Sequence, residues 1–100
     1  MITSQDMKFI DTSYFDIIET STFYIVLHSK RTNHFWHLLE QKPNGIRSFF
    51  IAHKHNFSDA YHPQTCRGSV DSCCKYIKAH DVYHIKREER KAEKRKKRQI

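Results

Sequence analysis

Residues 23–55, FYIVLHSKRTNHFWHLLEQKPNGIRSFFIAHKH, contain the strongest strand and turn patterns in the chain. Three runs rich in aromatic and β-branched residues predict strands over 23–29, 34–41 and 46–55. The segment KPNG at 42–45 is the clearest turn, because proline presets one backbone dihedral and Asn-Gly tolerates positive φ. Strands joined by links this short pair as antiparallel neighbours, so the stretch predicts a meander.

The flanking sequence adds another strand and a helix. Residues 14–20, YFDIIET, read as a strand, whereas 56–68 read as a loop punctuated by proline and glycine. Ser69 is a candidate N-cap for an amphipathic helix of about three turns. The apolar residues of this helix recur at helical spacing and are Val70, Cys73, Cys74 and Ile77.

Beyond Ala79 the helical pattern shifts, which leaves two alternatives: one bent helix, or a second helix capped by Asp81. Either way we expect an α+β fold, an antiparallel meander of three to four strands packed by a C-terminal helix. That helix extends into a basic tail. One helix covers one sheet face, so the other face should be open.

The charge is concentrated at one end of the chain. Residues 86–98 carry nine Lys or Arg and three Glu, a net of +6 out of +7 for all 100 residues. We therefore divide the chain into a nearly neutral domain over 1–85 and a basic helical extension over 86–100. A dense cationic arm is a common means of attracting a polyanion, although such a run can also be merely a solvated end.

Composition excludes several classes of protein. No apolar run approaches the roughly 18 residues of a membrane-spanning helix, and the first residues do not resemble a secretory signal. Three cysteines form an odd set without a C-x-x-C motif, which favours a reducing compartment and hence the cytoplasm. The two adjacent cysteines are expected to be small core fillers.

The eight histidines allow three interpretations. The first is a zinc site, for which the candidate ligands are His53, His55, His62 and Cys66. The second is acid–base chemistry of a small ribonuclease, for which the candidates are His34, His37, His53 and His55. The third and simplest is that these side chains occupy half-buried strand positions and only add conditional positive charge.

Alternation along the strands implies that Phe35 and Trp36 point to opposite sheet faces, as do Phe49 and Phe50. At least one ring of each pair should therefore lie on the open face, where it could stack on bases.

The leading hypothesis is a small nucleic-acid-binding protein without a catalytic motif. A protein-binding inhibitor or adaptor that docks through the open sheet face is the first alternative, and the ribonuclease is the second. The expected nucleic-acid contacts of the sheet are Lys30, Arg31, His34, Trp36 and Arg47. Those of the extension are Lys86, Arg87, Arg90, Lys91, Lys94, Arg95, Lys96, Lys97 and Arg98.

Overall fold

The computed structural model describes the backbone of residues 1–98 and the side chains of residues 1–96. The elements in chain order are α1 (Ser4–Met7), β1 (Phe15–Thr20), β2 (Tyr24–Ser29), β3 (Phe35–Gln41), a 3-10 turn (Pro43–Gly45), β4 (Ser48–Lys54), β5 (His62–Arg67) and α2 (Val70–Arg98). The fold is α+β, with a sheet packed against one long C-terminal helix, as the sequence predicts.

The sheet is a five-stranded antiparallel meander in the order β1-β2-β3-β4-β5. Asn44 and Gly45 adopt positive φ angles of 55° and 77° between β3 and β4, so the predicted turn is confirmed. The fifth strand lies in a segment that we expected to be a loop. Its sequence, HPQTCR, has few apolar residues, and pairing with β4 rather than local propensity makes it a strand. Pro63 is tolerated there because β5 is an edge strand.

α2 is a single helix over Val70–Arg98, so the alternative of two helices is wrong. The Oγ atom of Ser69 accepts a hydrogen bond from the backbone N–H of Ser72 at 3.1 Å, which confirms the predicted N-cap. Asp81 does not cap a second helix. Its carboxylate is fully buried and accepts hydrogen bonds from Tyr14 Oη at 2.6 Å and Thr32 Oγ1 at 3.2 Å.

The core lies between α2 and the sheet face that packs against it, which we call the inner face. Its largest fully buried side chains are those of Trp36, Phe15, Phe49, Ile25, Leu27, Leu38, Ile51, Ile77 and Val70. Cys73 and Cys74 are buried among them, as expected, and burial raises the pKa of their thiols to about 12 and about 11.

The opposite sheet face, which we call the outer face, is not covered by any helix of the described chain. Trp36 and Phe49 are buried on the inner face, whereas the half-buried Phe35 and Phe50 point outward. The prediction that one ring of each aromatic pair faces away from the helix is therefore confirmed. Through residue 98, no helix combines the length and the apolar character that crossing a bilayer requires.

Candidate functional site

Six of the eight histidines meet where the sheet abuts the middle of α2. This histidine cluster comprises His34, His53, His55, His62, His80 and His84. The start of β3, the end of β4 and the start of β5 lie at the same end of the antiparallel sheet, so four of the rings converge there. The other two are four residues apart on α2 and therefore share one helix face.

Three imidazoles of the cluster have the nitrogen spacing of a candidate metal-binding group. One ring nitrogen from each of His34, His55 and His84 lies within 4.8 Å of the other two. The rings of His34 and His55 stack with 4.2 Å between centroids and 6° between planes, while His84 meets His34 edge-on at 4.6 Å. His34 is buried, His84 is half-buried and His55 is exposed, so the trio reaches from the core to solvent.

A fourth imidazole, that of His53, contacts the buried member of the trio. The Nε2 atom of His53 lies 3.0 Å from Nδ1 of His34, and the His53 ring stacks on Trp36 with 4.1 Å between centroids. Burial, reinforced by neighbouring imidazoles, lowers the pKa of His34 to about 4 and that of His53 to about 3. Both rings are therefore neutral at pH 7, and each keeps one unprotonated nitrogen.

A pocket of about 390 Å³ opens beside the cluster. Five of the six histidines line it, all except His34, and the rest of the wall includes Tyr83, Arg87, Glu88 and Lys91. Glu88 lies 3.7 Å from Lys91 and partly offsets its charge. The pocket thus joins five imidazoles to two cations of the basic extension.

The extension of α2 has two different sides. Every residue over 86–96 is exposed, whereas Asp81, one turn and a half earlier, is fully buried. At about 100° per residue, six cations fall on one half of the helix circumference, and Glu88, Glu89 and Glu93 fall on the other. We call the first half the cationic face, and its members are Lys86, Arg87, Arg90, Lys91, Lys94 and Arg95. Lys96 lies on the acidic side, and the side chains of Lys97 and Arg98 are outside the described residues.

The expected sheet contacts are not brought together on the outer face. Trp36 has no exposed surface and His34 only 5 %, because both side chains point inward. Their expected location on the open face is therefore wrong. Lys30 and Arg31 are exposed in the turn after β2, and Lys30 Nζ donates to the carbonyl oxygen of Thr12 at 2.9 Å.

Arg47 is committed to an internal ion-pair network. Its Nη2 atom lies 2.6 Å from Oδ2 of Asp6 and 3.2 Å from Oε2 of Glu40, and both carboxylates are largely buried. The guanidinium holds the pKa of the Asp6 carboxyl well below its usual range. Arg47 therefore ties α1 to the sheet and is not a free cation on the outer face.

The zinc ligand set expected from sequence is divided by the sheet. His53 and His62 are paired neighbours on the inner face, but Cys66 pairs with Phe50, whose side chain points outward. Cys66 therefore lies on the opposite face from His53. Of the four acid–base candidates, His34, His53 and His55 do come together, whereas His37 stacks on Tyr24 at the outer face.

Sequence reasoning overlooked the contribution of α2 to this site. His80 and His84 form an H-x3-H pair, which places two imidazoles on one helix face, and this spacing could have indicated them. The sequence indicates His34 as an acid–base or nucleic-acid residue but not as a metal ligand. Its proximity to His84, which is fifty positions away, arises only from the packing of α2 on the sheet.

The outer face carries a smaller cleft of about 300 Å³ that is rich in aromatic rings. Lys54 Nζ lies 4.5 Å from the ring centroid of Tyr61, 5.2 Å from that of Phe57 and 5.6 Å from that of Phe35. Phe57 is 76 % exposed, so its ring is accessible to a ligand. Glu19 also lines this cleft, and the charge there is therefore mixed.

Comparison with known proteins gives no relative: neither a protein family, nor a curated protein, nor a solved structure matches this chain.

Proposed function

We propose that this protein binds nucleic acid and that the cationic face of α2 contacts the phosphates. The observation that carries the proposal is the grouping of six cations on one side of an exposed helix, beyond the last packed residues. The described extension over 86–96 is about 16 Å long at 1.5 Å per residue. Duplex DNA presents one phosphate charge per about 1.7 Å of axis, so several cations can engage phosphates together.

Charge separation on the helix supports this interpretation over that of a solvated end. A solubilising end gains nothing from placing cations on one side, whereas a phosphate-binding helix must turn its glutamates away from the ligand. Among the described cations of the extension, Lys91 has a carboxylate partner within 4.0 Å, in Glu88. The other five cations of the cationic face remain available to an external anion.

The outer face supplies a second candidate contact. Rings around Lys54 can stack on unpaired bases, because stacking tolerates any base and is worth about 1–3 kcal/mol for each one. Since the outer face contains acidic side chains as well, we assign the phosphates to the extension and the bases to this face. Docking of a protein partner on the same face is the competing hypothesis.

The free thiols fit a reducing compartment, and we propose the cytoplasm as the location.

The test is a salt series of binding titrations with a labelled DNA duplex and a labelled single-stranded RNA. If all six cations of the cationic face engage phosphates, log K should fall with log salt at a slope of about −5 on duplex DNA. The variant Arg90→Gln/Lys94→Gln/Arg95→Gln should bring the slope closer to zero by about 2.7. Arg87 and Lys91 are left intact because they line the histidine pocket.

A matched control removes three cations elsewhere. The variant Lys8→Gln/Lys42→Gln/Lys75→Gln changes the net charge by the same amount at exposed positions. It should leave the slope nearly unchanged. Equal effects of the two triple variants would show a diffuse attraction rather than a binding face, and failure to bind either nucleic acid at low salt would overturn the proposal.

A further inference from the structure

Three elements that are distant in sequence each contribute one imidazole to a single point of the histidine cluster. His34 precedes β3, His55 follows β4, and His84 lies on α2. Because their ring nitrogens already lie within 4.8 Å of one another, only side-chain movements separate this arrangement from a ligand set. A tetrahedral zinc ion with Zn–N bonds of 2.0–2.1 Å requires ligand nitrogens about 3.4 Å apart.

We propose that His34, His55 and His84 form a three-imidazole binding site for a divalent transition metal of the zinc type, with the fourth coordination position open to the pocket. Imidazole is a preferred ligand of zinc and of neighbouring late first-row metals. Three protein nitrogens with an open fourth position are the arrangement of sites that keep a water or an anion on the metal.

The three side chains differ in burial, and burial determines how far each ring can move to bind the ion. His34 is buried and held by His53, so it is the fixed ligand. His55 is exposed beyond the end of β4, and its ring must leave the parallel stack on His34 for both nitrogens to point at one ion. His84 is half-buried on α2 and already meets His34 edge-on, which needs less rearrangement.

The hydrogen bond between His34 and His53 resembles the one that usually orients a metal-bound histidine. A ligating imidazole generally donates its other N–H to a fixed acceptor, which sets the tautomer and the ring orientation. His53 Nε2 can be that acceptor, and it then leaves Nε2 of His34 free to bind the ion.

Charges around the site define what the open position would take. Arg87 and Lys91 line the same pocket, and Glu88 offsets only part of their charge. A bound divalent cation would therefore add positive charge to a cationic wall, so the fourth ligand is expected to be anionic or a readily deprotonated water. This inference does not depend on nucleic-acid binding, because it concerns the metal alone.

The test is isothermal titration calorimetry of the full chain with zinc chloride in a buffer that does not bind zinc, under reducing conditions. We expect one ion per chain, with the affinity at least tenfold lower in His55→Gln and in His84→Gln. Both positions reach solvent, so these variants should fold, and circular dichroism checks this. His28→Gln and His37→Gln, on the outer face, are the matched controls and should bind like the parent.

Cobalt provides a readout that separates imidazole from thiolate ligation. A Co²⁺ complex of the proposed site should show ligand-field bands without sulfur-to-cobalt charge transfer, and Cys66→Ser should not alter it. No binding of zinc would overturn the proposal. So would binding that persists in both His55→Gln and His84→Gln, or binding that is lost in Cys66→Ser.

Discussion

The Nε2 atom of His53 lies 3.0 Å from the Nδ1 atom of His34, so one imidazole must donate its proton to the other. If His34 is the donor, its Nε2 atom carries a lone pair and can bind a metal ion. If His53 is the donor, Nε2 of His34 is protonated and cannot. The position of this one proton therefore decides whether His34 can bind a metal ion.

The first prediction follows from that hydrogen bond. Replacing His53 with Phe keeps a ring against Trp36 but removes the acceptor, so zinc affinity should fall about 10–100-fold. Calorimetry measures the loss, and nitrogen chemical shifts of the zinc-loaded parent should show His34 protonated at Nδ1 and metal-bound at Nε2. The variant His62→Phe, which removes a cluster imidazole outside the proposed ligand set, serves as the control. An unchanged affinity in His53→Phe would rule out the supporting role.

The second prediction concerns pH. The folded state binds protons at His34 and His53 only near pH 4 and pH 3, whereas an unfolded histidine binds one near pH 6.5. The unfolded state therefore holds more protons below pH 6.5, and the free energy of unfolding should fall as the pH drops. The slope approaches about 1.4 kcal/mol per pH unit for each of the two histidines.

The measurement is urea unfolding in chelator between pH 7.5 and pH 4.5. Below about pH 5 the unfolded state also takes up protons at Asp6 and Glu40, so the part of this window above pH 5 reports mainly on the buried imidazoles. In His34→Gln/His53→Gln the pH dependence should be weaker than in the parent, and the remainder should come from His37 and His80, because burial lowers their pKa values as well. A free energy of unfolding that is flat over this window in the parent would contradict the prediction.

The third prediction concerns the ion-pair network of Arg47. The substitution Arg47→Met leaves the largely buried carboxylates of Asp6 and Glu40 without their shared cation. We expect the free energy of unfolding to fall by about 2–4 kcal/mol. Lys30→Met removes an exposed cation 3.7 Å from Asp16 and should cost less than about 1 kcal/mol. Similar costs in the two variants would show that burial of the carboxylates is not what makes the network important.

The fourth prediction separates base stacking from phosphate contact. Phe57→Ala removes the most exposed ring beside Lys54 on the outer face. Affinity for single-stranded RNA should fall by about 1–3 kcal/mol, while the slope of log K against log salt stays the same. Direct titration at two salt concentrations measures both quantities. Unchanged RNA affinity would leave the outer face to the competing hypothesis of a protein partner.

Features that depend on local patterns are predictable from the sequence. Alternation within β2, β3 and β4 indicated the meander, the Asn44-Gly45 pair indicated its turn, and the run over 86–98 indicated an exposed cationic helix. These features follow from neighbouring residues, because strand pleat, turn geometry and charge density are set within a few positions.

The fifth strand, the Arg47 ion pairs and the histidine cluster arise from packing between elements that are distant in sequence. β5 is a strand because it pairs with β4. The charge of Arg47 is neutralised because α1 places the Asp6 carboxylate beside it. The imidazoles of His34, His55 and His84 meet because α2 packs on one end of the sheet, which brings together positions up to fifty residues apart. Such contacts depend on how whole elements pack, and no local pattern in the chain encodes that distance.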